Sequence, residues 1–192
     1  MKTEKRKNIN QEKRNMRDRE EKQFVTEPQE LVDFDFIYLR NIAEYQFRQD
    51  IANCLFPDKS IFFIQRSLNT WRIRNILNKD NSLYLVLRAQ DNLFSLTNIS
   101  ANIIKQCSKP PDFRVIISND IGRIIREGGN VFSKHIINID KGLRSGDNVI
   151  VVNEEDELIA YGRMKISGEE AIEYKRGVAV NVKGRLKNGN NT

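Results

Sequence analysis

The sequence predicts an α+β protein, in which a domain of helix and antiparallel sheet precedes a small, mainly β barrel with two short helices. Three observations indicate this class. Apolar residues at helical spacing begin at Leu31, four β-like runs follow them, and the last third alternates short β runs with two brief capped helices. Strands this short enclose a core only when their sheet curls on itself, which favours a barrel.

The N-terminal stretch of residues 1–30 mixes lysine and arginine with acids and contains little that could pack. Burial therefore cannot offset the entropy lost on ordering, and a charged, disordered tail is predicted there. A flexible C-terminus is predicted over 188–192. The alternative for residues 1–30 is a basic arm that clamps RNA, but the interspersed acids favour the tail.

The first domain is predicted over residues 31–110. It begins with a helix that Pro57 ends. One face of this helix is apolar, formed by Leu39, Ile42, Ala43, Phe47, Ile51 and Leu55. Strands are then predicted at 61–66, 71–77, 83–89 and 93–97, followed by a short helix near 100–107. The stiff segment Lys109-Pro110-Pro111 marks the boundary to a second domain, at 111–187.

The second domain is predicted to contain a first helix capped by Asn119. Ile121, Ile124 and Ile125 would point inward from it, and Gly128-Gly129 would end it. These two glycines have two compatible interpretations. They can terminate the helix in a left-handed conformation, and they can let the backbone approach a phosphate or ribose closely.

A second helix is predicted from capping signals. Ser167 and Glu170 have capping-box spacing, Lys175 and Arg176 would occupy the last turn, and Gly177 would stop the helix. These signals are local and independent of packing, so they indicate the helix directly.

Strands at 149–152 and 158–166 are predicted to flank an acidic turn at 153–157. Alternation divides the second strand into two faces. The face predicted to pack holds Leu158, Ala160, Gly162 and Met164, and the face predicted to meet solvent holds Ile159, Tyr161, Arg163 and Lys165. In the last strand the valines pack, opposite to Asn181, Lys183 and Arg185.

The formal net charge of +6 favours a polyanionic partner, although charge alone does not separate nucleic acid from an anionic membrane surface. No apolar run is long enough to span a bilayer, and no signal-peptide pattern is present, so a soluble, cytoplasmic protein is predicted. Cys54 and Cys107 lie far apart without a C-x-x-C pair. Reduced thiols are therefore predicted, with neither a disulfide framework nor a zinc site.

The sequence contains no recognisable catalytic motif. His135, the only histidine, lies in a predicted strand and is interpreted as a packing or rim residue. The sequence has no nucleophile elbow, no phosphate-binding glycine-rich loop with lysine, and no Cys/His cluster. No catalytic residue, no cofactor and no metal are expected.

Four blocks in the last third carry a family resemblance. They read EGGNVF at 127–132, LRSGDNVIVV at 143–152, AYGR at 160–163 and KRGVAV at 175–180. In this order they resemble the PUA domain, an RNA-binding module. The resemblance implies a groove with the first helix, its glycine loop and the next strand on one side. The second helix and the last strand would form the other side.

The predicted RNA-binding residues come from two sources. The resemblance nominates Gly128, Gly129, Asn130, Lys134, Lys175 and Arg176. Arg123 and Arg126, three apart on the first helix, and Lys183 on the last strand are added because their faces could complete a basic stripe. The alternative for each charged residue is an ordinary solvated face.

Residues 34–117 carry a second resemblance, through FDFIYLRNIAEYQFRQDIANCLF, LYLVLRAQDNLFSLTNISANII and PPDFRVII. They look like the domain that precedes the PUA module in archaeal tRNA-guanine transglycosylases and archaeosine synthases. The large catalytic barrel that precedes these domains in that family is not found in this sequence, so catalysis is expected to come from elsewhere.

A possible second RNA patch combines Arg66 with Arg72 and Arg74. Strand alternation sends Arg72 and Arg74 to one face and Trp71 and Ile73 to the other. Two interpretations remain open, a pair that binds phosphate or two solvated arginines above a packed tryptophan.

Together these observations predict a non-catalytic RNA-binding protein. It would dock structured RNA, foremost tRNA, through phosphates and ribose hydroxyls for archaeosine-type base modification, with a catalytic protein subunit acting in trans. Neither DNA nor membrane is expected as a partner. The alternatives are an assembly factor that binds ribosomal or guide RNA, and a small enzyme whose site the sequence does not reveal.

Overall fold

A computed structural model of the chain describes residues 24–186. The predictions for residues 1–23 and 188–192 lie outside this range. Within it, the strands form two sheets, one from each half of the chain, and helices pack against both. The predicted α+β class is confirmed.

The first half of the described chain is an antiparallel sheet in the order β1-β2-β3-β4-β5, with helices against it. Its strands are β1 (Gln29–Glu30), β2 (Phe62–Arg66), β3 (Ile73–Asn78), β4 (Leu83–Leu87) and β5 (Phe94–Leu96). Its α-helices are α1 (Asp33–Phe47), α2 (Gln49–Leu55) and α3 (Asn98–Cys107), and a short 3₁₀ helix spans Lys59–Ile61.

The start of the described chain is more ordered than the sequence predicts. Residues 29–30 pair with β2, and Val25 forms a bridge with Ser67. These residues of the predicted tail are therefore held at the edge of the first sheet. Main-chain hydrogen bonds hold this edge, and they do not require the apolar side chains whose scarcity suggested disorder.

The single long helix predicted before Pro57 is divided into α1 and α2 at Arg48, whose φ is 106°. Contacts across the fold hold this residue. Its guanidinium pairs with Asp50 at 3.1 Å and with Asp112 at 2.9 Å, and it lies 5.0 Å from the centre of the Phe113 ring. The apolar face nevertheless continues across the break, because both helices bury it.

The two cysteines form a disulfide, which corrects the prediction of reduced thiols. Cys54 lies in α2 and Cys107 at the end of α3, with their Cα atoms 6.5 Å apart. This separation lies within the usual disulfide range. The pair is 53 residues apart in sequence, and only the packing of α2 against α3 brings the two residues together.

The second half curls into a pseudo-barrel with the strand order β7-β11-β10-β9-β6-β8. Its strands are β6 (Arg114–Ile117), β7 (Val131–Phe132), β8 (Ile136–Ile139), β9 (Asn148–Val152), β10 (Leu158–Met164) and β11 (Val178–Arg185). Its helices are α4 (Asn119–Glu127) and α5 (Gly168–Glu173), with a 3₁₀ turn at Ser133–His135. The β6–β9 pair is parallel, and the other pairs are antiparallel.

Several local predictions for this half were wrong. Ser118 rather than Asn119 caps α4, through a side-chain oxygen that accepts from the Ile121 N–H. Ile124 is 60% exposed instead of pointing inward. Ile159, predicted to meet solvent, is 2% exposed because α4 covers that face of β10 and a bulge shifts the register between Leu158 and Ala160.

The two halves share a hydrophobic core. Ile150, Val152 and Leu158 of the second half pack in the same cluster as the buried residues of α1, α2 and the first sheet. Asn148 also reaches across and donates its side-chain N–H to the Phe94 carbonyl at 2.6 Å. The first sheet and the pseudo-barrel are therefore joined by continuous packing.

No helix within residues 24–186 is long and apolar enough to cross a membrane. In the same residues, no group of three or more histidine, cysteine or acidic side chains is arranged to hold a metal ion.

Candidate nucleic-acid interface

Three of the predicted cations lie around one end of β11. The pairing of Phe132 with Val178 joins β7 to β11, and the Ser133 N–H donates to the Gly177 carbonyl at 3.0 Å. These contacts bring the 3₁₀ turn next to the segment that leaves α5. The two segments carry exposed Lys134 on one side and exposed Lys175 and Arg176 on the other.

Lys175 and Arg176 follow α5 rather than occupying its last turn, which is a correction to the prediction. The helix ends at Glu173. Its start is capped by Ser167 and Glu170, each of whose side chains accepts a hydrogen bond from the backbone N–H of the other. Gly177 has a φ of +89° and lets the chain turn into β11. In the described residues Lys134, Lys175 and Arg176 form no ion pair, so this end of β11 is a concentrated positive surface.

The glycine loop, Gly128-Gly129, lies at the other end of β11, and these two residues have no side chains. Gly129 has a φ of +89°, whereas Gly128 is extended, and neither has an atom within 4 Å of the place a Cβ would occupy. Arg185 holds the loop, donating from Nε to the Ile125 carbonyl at 2.9 Å and from a terminal nitrogen to the Gly129 carbonyl. The loop is thus a bare and well-anchored stretch of backbone.

Asn130 has a structural contact within this loop. Its side-chain oxygen accepts from the Val182 N–H at 3.0 Å, which fastens the loop to β11. Asn130 therefore positions the loop backbone beside β11, and its oxygen is occupied in this structure.

Arg123 and Arg126 share a side of α4, as predicted, but that side faces the acidic turn between β9 and β10. They line an open pocket with Asn119, Asn153, Glu155, Glu157 and Ile159. Arg126 is largely buried and pairs with Glu157 at 2.7 Å. Arg123 pairs with Asp120 at 2.9 Å, and its side chain is 75% exposed. Arg123 keeps an accessible charge, whereas the charge of Arg126 is compensated.

Lys183 is exposed on β11, where the register with β10 shifts between Tyr161 and Gly162. Lys183 therefore lies on β11, near the end of the strand that contacts the glycine loop. Arg163, predicted on the solvent face of β10, is half-buried instead. Burial lowers the pKa of its guanidinium, and the nearby charge of Arg88 lowers that pKa further, while Asp91 raises it.

His135 lies in the 3₁₀ turn next to Lys134, not in a strand as predicted, and it is half-buried.

Exposed cations and main-chain groups of the glycine loop, brought together along β11, are suited to holding phosphate oxygens. The nine predicted residues divide into two groups, with Arg123 and Arg126 beside the acidic turn and the others along β7, β11 and the loops that flank them.

The second predicted patch is also changed by the structure. Arg66 pairs with Asp35, with side-chain exposures of 20% and 9%, so its charge is compensated. Arg72 and Arg74 are exposed. Trp71 is not packed beneath them but is 60% exposed, which contradicts the interpretation of two arginines above a packed tryptophan.

Two arginines that build the framework of the candidate site were not predicted from the sequence. Arg185 was placed with the solvated residues, although it anchors the glycine loop. Arg114 is 1% exposed and holds the junction between the halves. A weak signal was available for Arg114, because it is a lone charge inside the apolar run Phe113–Ile117. No signal distinguished Arg185.

Family models match the chain in two consecutive parts. Residues 113–186 match the PUA domain, which agrees with the pseudo-barrel and its glycine loop. Residues 38–111 match the patch-forming domain C2 of tRNA-guanine transglycosylase. The fold and the loop define a PUA-domain protein. More narrowly, the PUA domain of this chain is preceded by residues that match the C2 domain of tRNA-guanine transglycosylase.

Curated relatives agree with this assignment. The tRNA-guanine(15) transglycosylase of Methanococcus vannielii is 35% identical over 158 residues, which are 82% of this chain and 24% of the relative. The enzyme of the same name from Methanocaldococcus jannaschii is 34% identical over 156 residues, covering 81% and 24%. The chain thus spans about a quarter of the length of these relatives.

Two solved structures share the fold over most of both chains. A hypothetical protein from Pyrococcus horikoshii has a TM-score of 0.65 at 22% identity, covering 85% of this chain and 95% of that one. A PUA domain from Aeropyrum pernix has a TM-score of 0.58 at 14% identity, covering 86% and 89%. At these identities the similarity concerns the fold alone.

Proposed function

We propose that this protein docks structured RNA, foremost tRNA, for a base-modification reaction of the archaeosine type. The observation that carries the proposal is the set of exposed cations without ion-pair partners among the described residues, Lys134, Lys175 and Arg176, gathered at one end of β11. The relatives named tRNA-guanine(15) transglycosylases support tRNA as the RNA.

The proposed contacts are mainly to the backbone of the RNA. Lysine and arginine side chains neutralise phosphates, and the open surface of Gly128-Gly129 lets main-chain groups approach a phosphate or ribose. Lys183 extends the cationic surface along β11, and Arg123 adds an accessible charge at its margin. Because side chains enter the deep groove of an RNA duplex poorly, shape and ribose hydroxyls contribute more than base edges.

A further part of the proposal is that the chemistry is supplied in trans by a catalytic protein. Support comes from the two family models that match the chain. They describe a PUA domain and the patch-forming domain C2 of tRNA-guanine transglycosylase, and neither is described as a catalytic domain. Co-purification from native cells is expected to recover a catalytic subunit together with tRNA. Purified protein that modifies tRNA unaided would contradict this part of the proposal and favour the small-enzyme alternative.

The decisive experiment measures binding of purified protein to tRNA between about 50 mM and about 300 mM salt. The affinity should fall steeply with salt, and Lys175→Ala/Arg176→Ala should flatten the slope by about one to two units, because each phosphate contact releases roughly one counterion. Lys79→Ala/Lys109→Ala removes the same charge from exposed positions elsewhere and should leave the slope nearly unchanged.

Equal slopes for both double variants would show that overall charge, not this surface, drives binding, and would overturn the proposed site. Crosslinking followed by RNA sequencing separates the two RNA-binding functions. Recovery of tRNA supports the proposal, whereas recovery of ribosomal or guide RNA would support the assembly-factor alternative.

A further inference from the structure

The turn between β2 and β3 presents an exposed aromatic ring, that of Trp71. Trp71 is 60% exposed, and its neighbours Leu68 and Phe24 are 53% and 56% exposed. The Leu68 N–H donates to the Phe24 carbonyl at 2.9 Å, so the three residues belong to one local structure. Tryptophan usually buries most of its large apolar surface. An exposed ring at a turn therefore suggests a contact that is formed only when a partner is bound.

The backbone at Trp71 is held in a conformation that side chains rarely adopt. Its φ is 59°, in the left-handed region, which a bulky residue enters only when its surroundings enforce it. Here the Trp71 N–H donates to the Ser67 carbonyl, and the Ser67 N–H donates to the Arg72 carbonyl, each at 2.8 Å. These two hydrogen bonds fix the backbone at Trp71 before any partner arrives.

Arg66 braces the turn against the first helix. Its guanidinium pairs with Asp35 in the first turn of α1, and one terminal nitrogen donates to the Trp71 carbonyl at 3.3 Å. Both partners of the ion pair are mostly buried. Arg66 is consequently a positioning residue for the turn, not a contact for an incoming phosphate.

Positive charge lies directly beside the ring. Arg72 and Arg74 are exposed on either side of buried Ile73, and neither belongs to an ion pair within residues 24–186. An exposed aromatic next to uncompensated guanidinium groups is typical of surfaces that bind single-stranded nucleic acid, where bases stack on the ring and cations hold the backbone. A purely apolar partner surface would leave both charges unsatisfied.

We propose that Trp71 stacks on an unpaired base of the bound RNA and that Arg72 and Arg74 contact the phosphates next to that base. The inference rests on the proposed function and deepens it, since it specifies an RNA that offers both a folded region and an unpaired nucleotide. The shared hydrophobic core joins the first sheet to the pseudo-barrel, and the proposal is that one RNA contacts both.

The test uses the fluorescence of Trp71, which is the only tryptophan in the chain. Full-length protein is titrated with an unpaired RNA oligonucleotide of about ten nucleotides and, separately, with a fully paired RNA duplex. The unpaired RNA should quench the emission with a saturable curve. The duplex should leave the emission nearly unchanged, because its bases are already stacked on one another.

Variants separate stacking from charge. Trp71→Gly removes the ring and accepts the positive φ without strain, so the turn should keep its shape, and affinity for the unpaired RNA should fall about tenfold with an unchanged salt slope. Trp71→Phe should retain most of the affinity. Arg72→Ala/Arg74→Ala should instead flatten the salt slope by about two units.

Failure of this inference can be distinguished from failure of the proposed function. If tRNA binds and Lys175→Ala/Arg176→Ala weakens it, while the Trp71 emission and the Trp71→Gly affinity stay unchanged, only the stacking inference is overturned. If no RNA binds at all, both fail. Emission that responds to a catalytic protein partner but not to RNA would identify the turn as a protein interface and would also overturn the inference.

Discussion

At the residue scale, the glycine loop shows how one backbone conformation sets the chemistry of a surface. Gly128 and Gly129 are adjacent, and both leave open space where a Cβ would be. They differ in φ, since Gly128 is extended and Gly129 is at +89°. Only the second position requires glycine for conformational reasons, because an L-side chain there approaches its own backbone.

The matched pair Gly129→Ala and Gly128→Ala tests this difference. Gly129→Ala should lower the free energy of unfolding by about 1–2 kcal/mol, the cost of left-handed backbone for an L-residue. Gly128→Ala should change it by less than about 0.5 kcal/mol, since its conformation suits any residue. Urea denaturation of both proteins measures the difference, and similar losses for the two variants would contradict the argument.

At the element scale, α5 depends on its capping box, because a helix of 6 residues has little intrinsic stability. The Glu170 carboxylate accepts from the Ser167 N–H at 2.8 Å and from the Ser167 hydroxyl at 2.9 Å. These hydrogen bonds to the charged form hold the pKa of Glu170 below its ordinary value of 4.5. The stability of this helix therefore depends on pH. The helix also orients the segment that carries Lys175 and Arg176.

The sign of this linkage gives a prediction. Because the pKa of Glu170 is lower in the folded state, its contribution to stability is present above about pH 4.5 and is lost as the pH falls through the folded value. Thermal unfolding followed from about pH 6 to about pH 3 should show a shallower loss for Glu170→Gln than for the unmodified protein. The glutamine oxygen can still accept the same hydrogen bonds, but it does not titrate.

Glu169→Gln is the matched control, since it removes the same charge from the neighbouring residue, which also lies in the first turn. It should retain the full loss of stability in acid. If both variants became equally insensitive to acid, the effect would come from the charge at the helix start rather than from the capping box.

At the scale of the whole molecule, Arg114 joins the two halves. Its side chain is 1% exposed, and it donates to the Lys105 carbonyl at 2.9 Å, to the Asp112 carbonyl at 2.8 Å and to the Asp156 carboxylate at 2.8 Å. Two further bonds reach Ser108. One guanidinium thus donates hydrogen bonds to carbonyls at the end of α3 and in the connecting segment, and to a carboxylate in the turn before β10. It holds the first sheet in place beside the pseudo-barrel.

Replacing Arg114 should be among the most damaging single changes. Arg114→Met should cost roughly 3–5 kcal/mol of unfolding free energy, because it leaves buried carbonyls without their donor and removes the shorter of the two ion pairs of Asp156. Arg114→Lys should recover only part of this, since an ammonium lacks the planar fork of donors. Denaturant unfolding checks both values.

Lys105→Met is the control for the junction, because Lys105 also approaches Asp156, at 3.5 Å, but its side chain is 29% exposed. It should cost no more than about 1 kcal/mol. A loss for Lys105→Met as large as that for Arg114→Met would indicate that Asp156, not the arginine, organises the junction.

The sequence was sufficient for the features that depend on neighbours along the chain. The capping box at Ser167 and Glu170, the strands around the acidic turn and the apolar face shared by α1 and α2 were all predicted, because capping and periodicity act within a few residues. The four PUA blocks were likewise sufficient to recognise the family. Boundaries were less accurate, as Arg48, Ser118 and Glu173 show.

Only the fold showed the features that depend on contacts between distant parts of the chain. The Cys54–Cys107 bond, the burial of Arg114, the exposure of Trp71 and the separation of Arg126 from Lys175 all follow from which surfaces pack together. A sequence pattern records the spacing of residues along the chain but not the pairing of elements that lie far apart. The residues along the chain therefore determined its net positive charge and its four PUA-type blocks, whereas packing across the two halves decided which of its charges remain accessible.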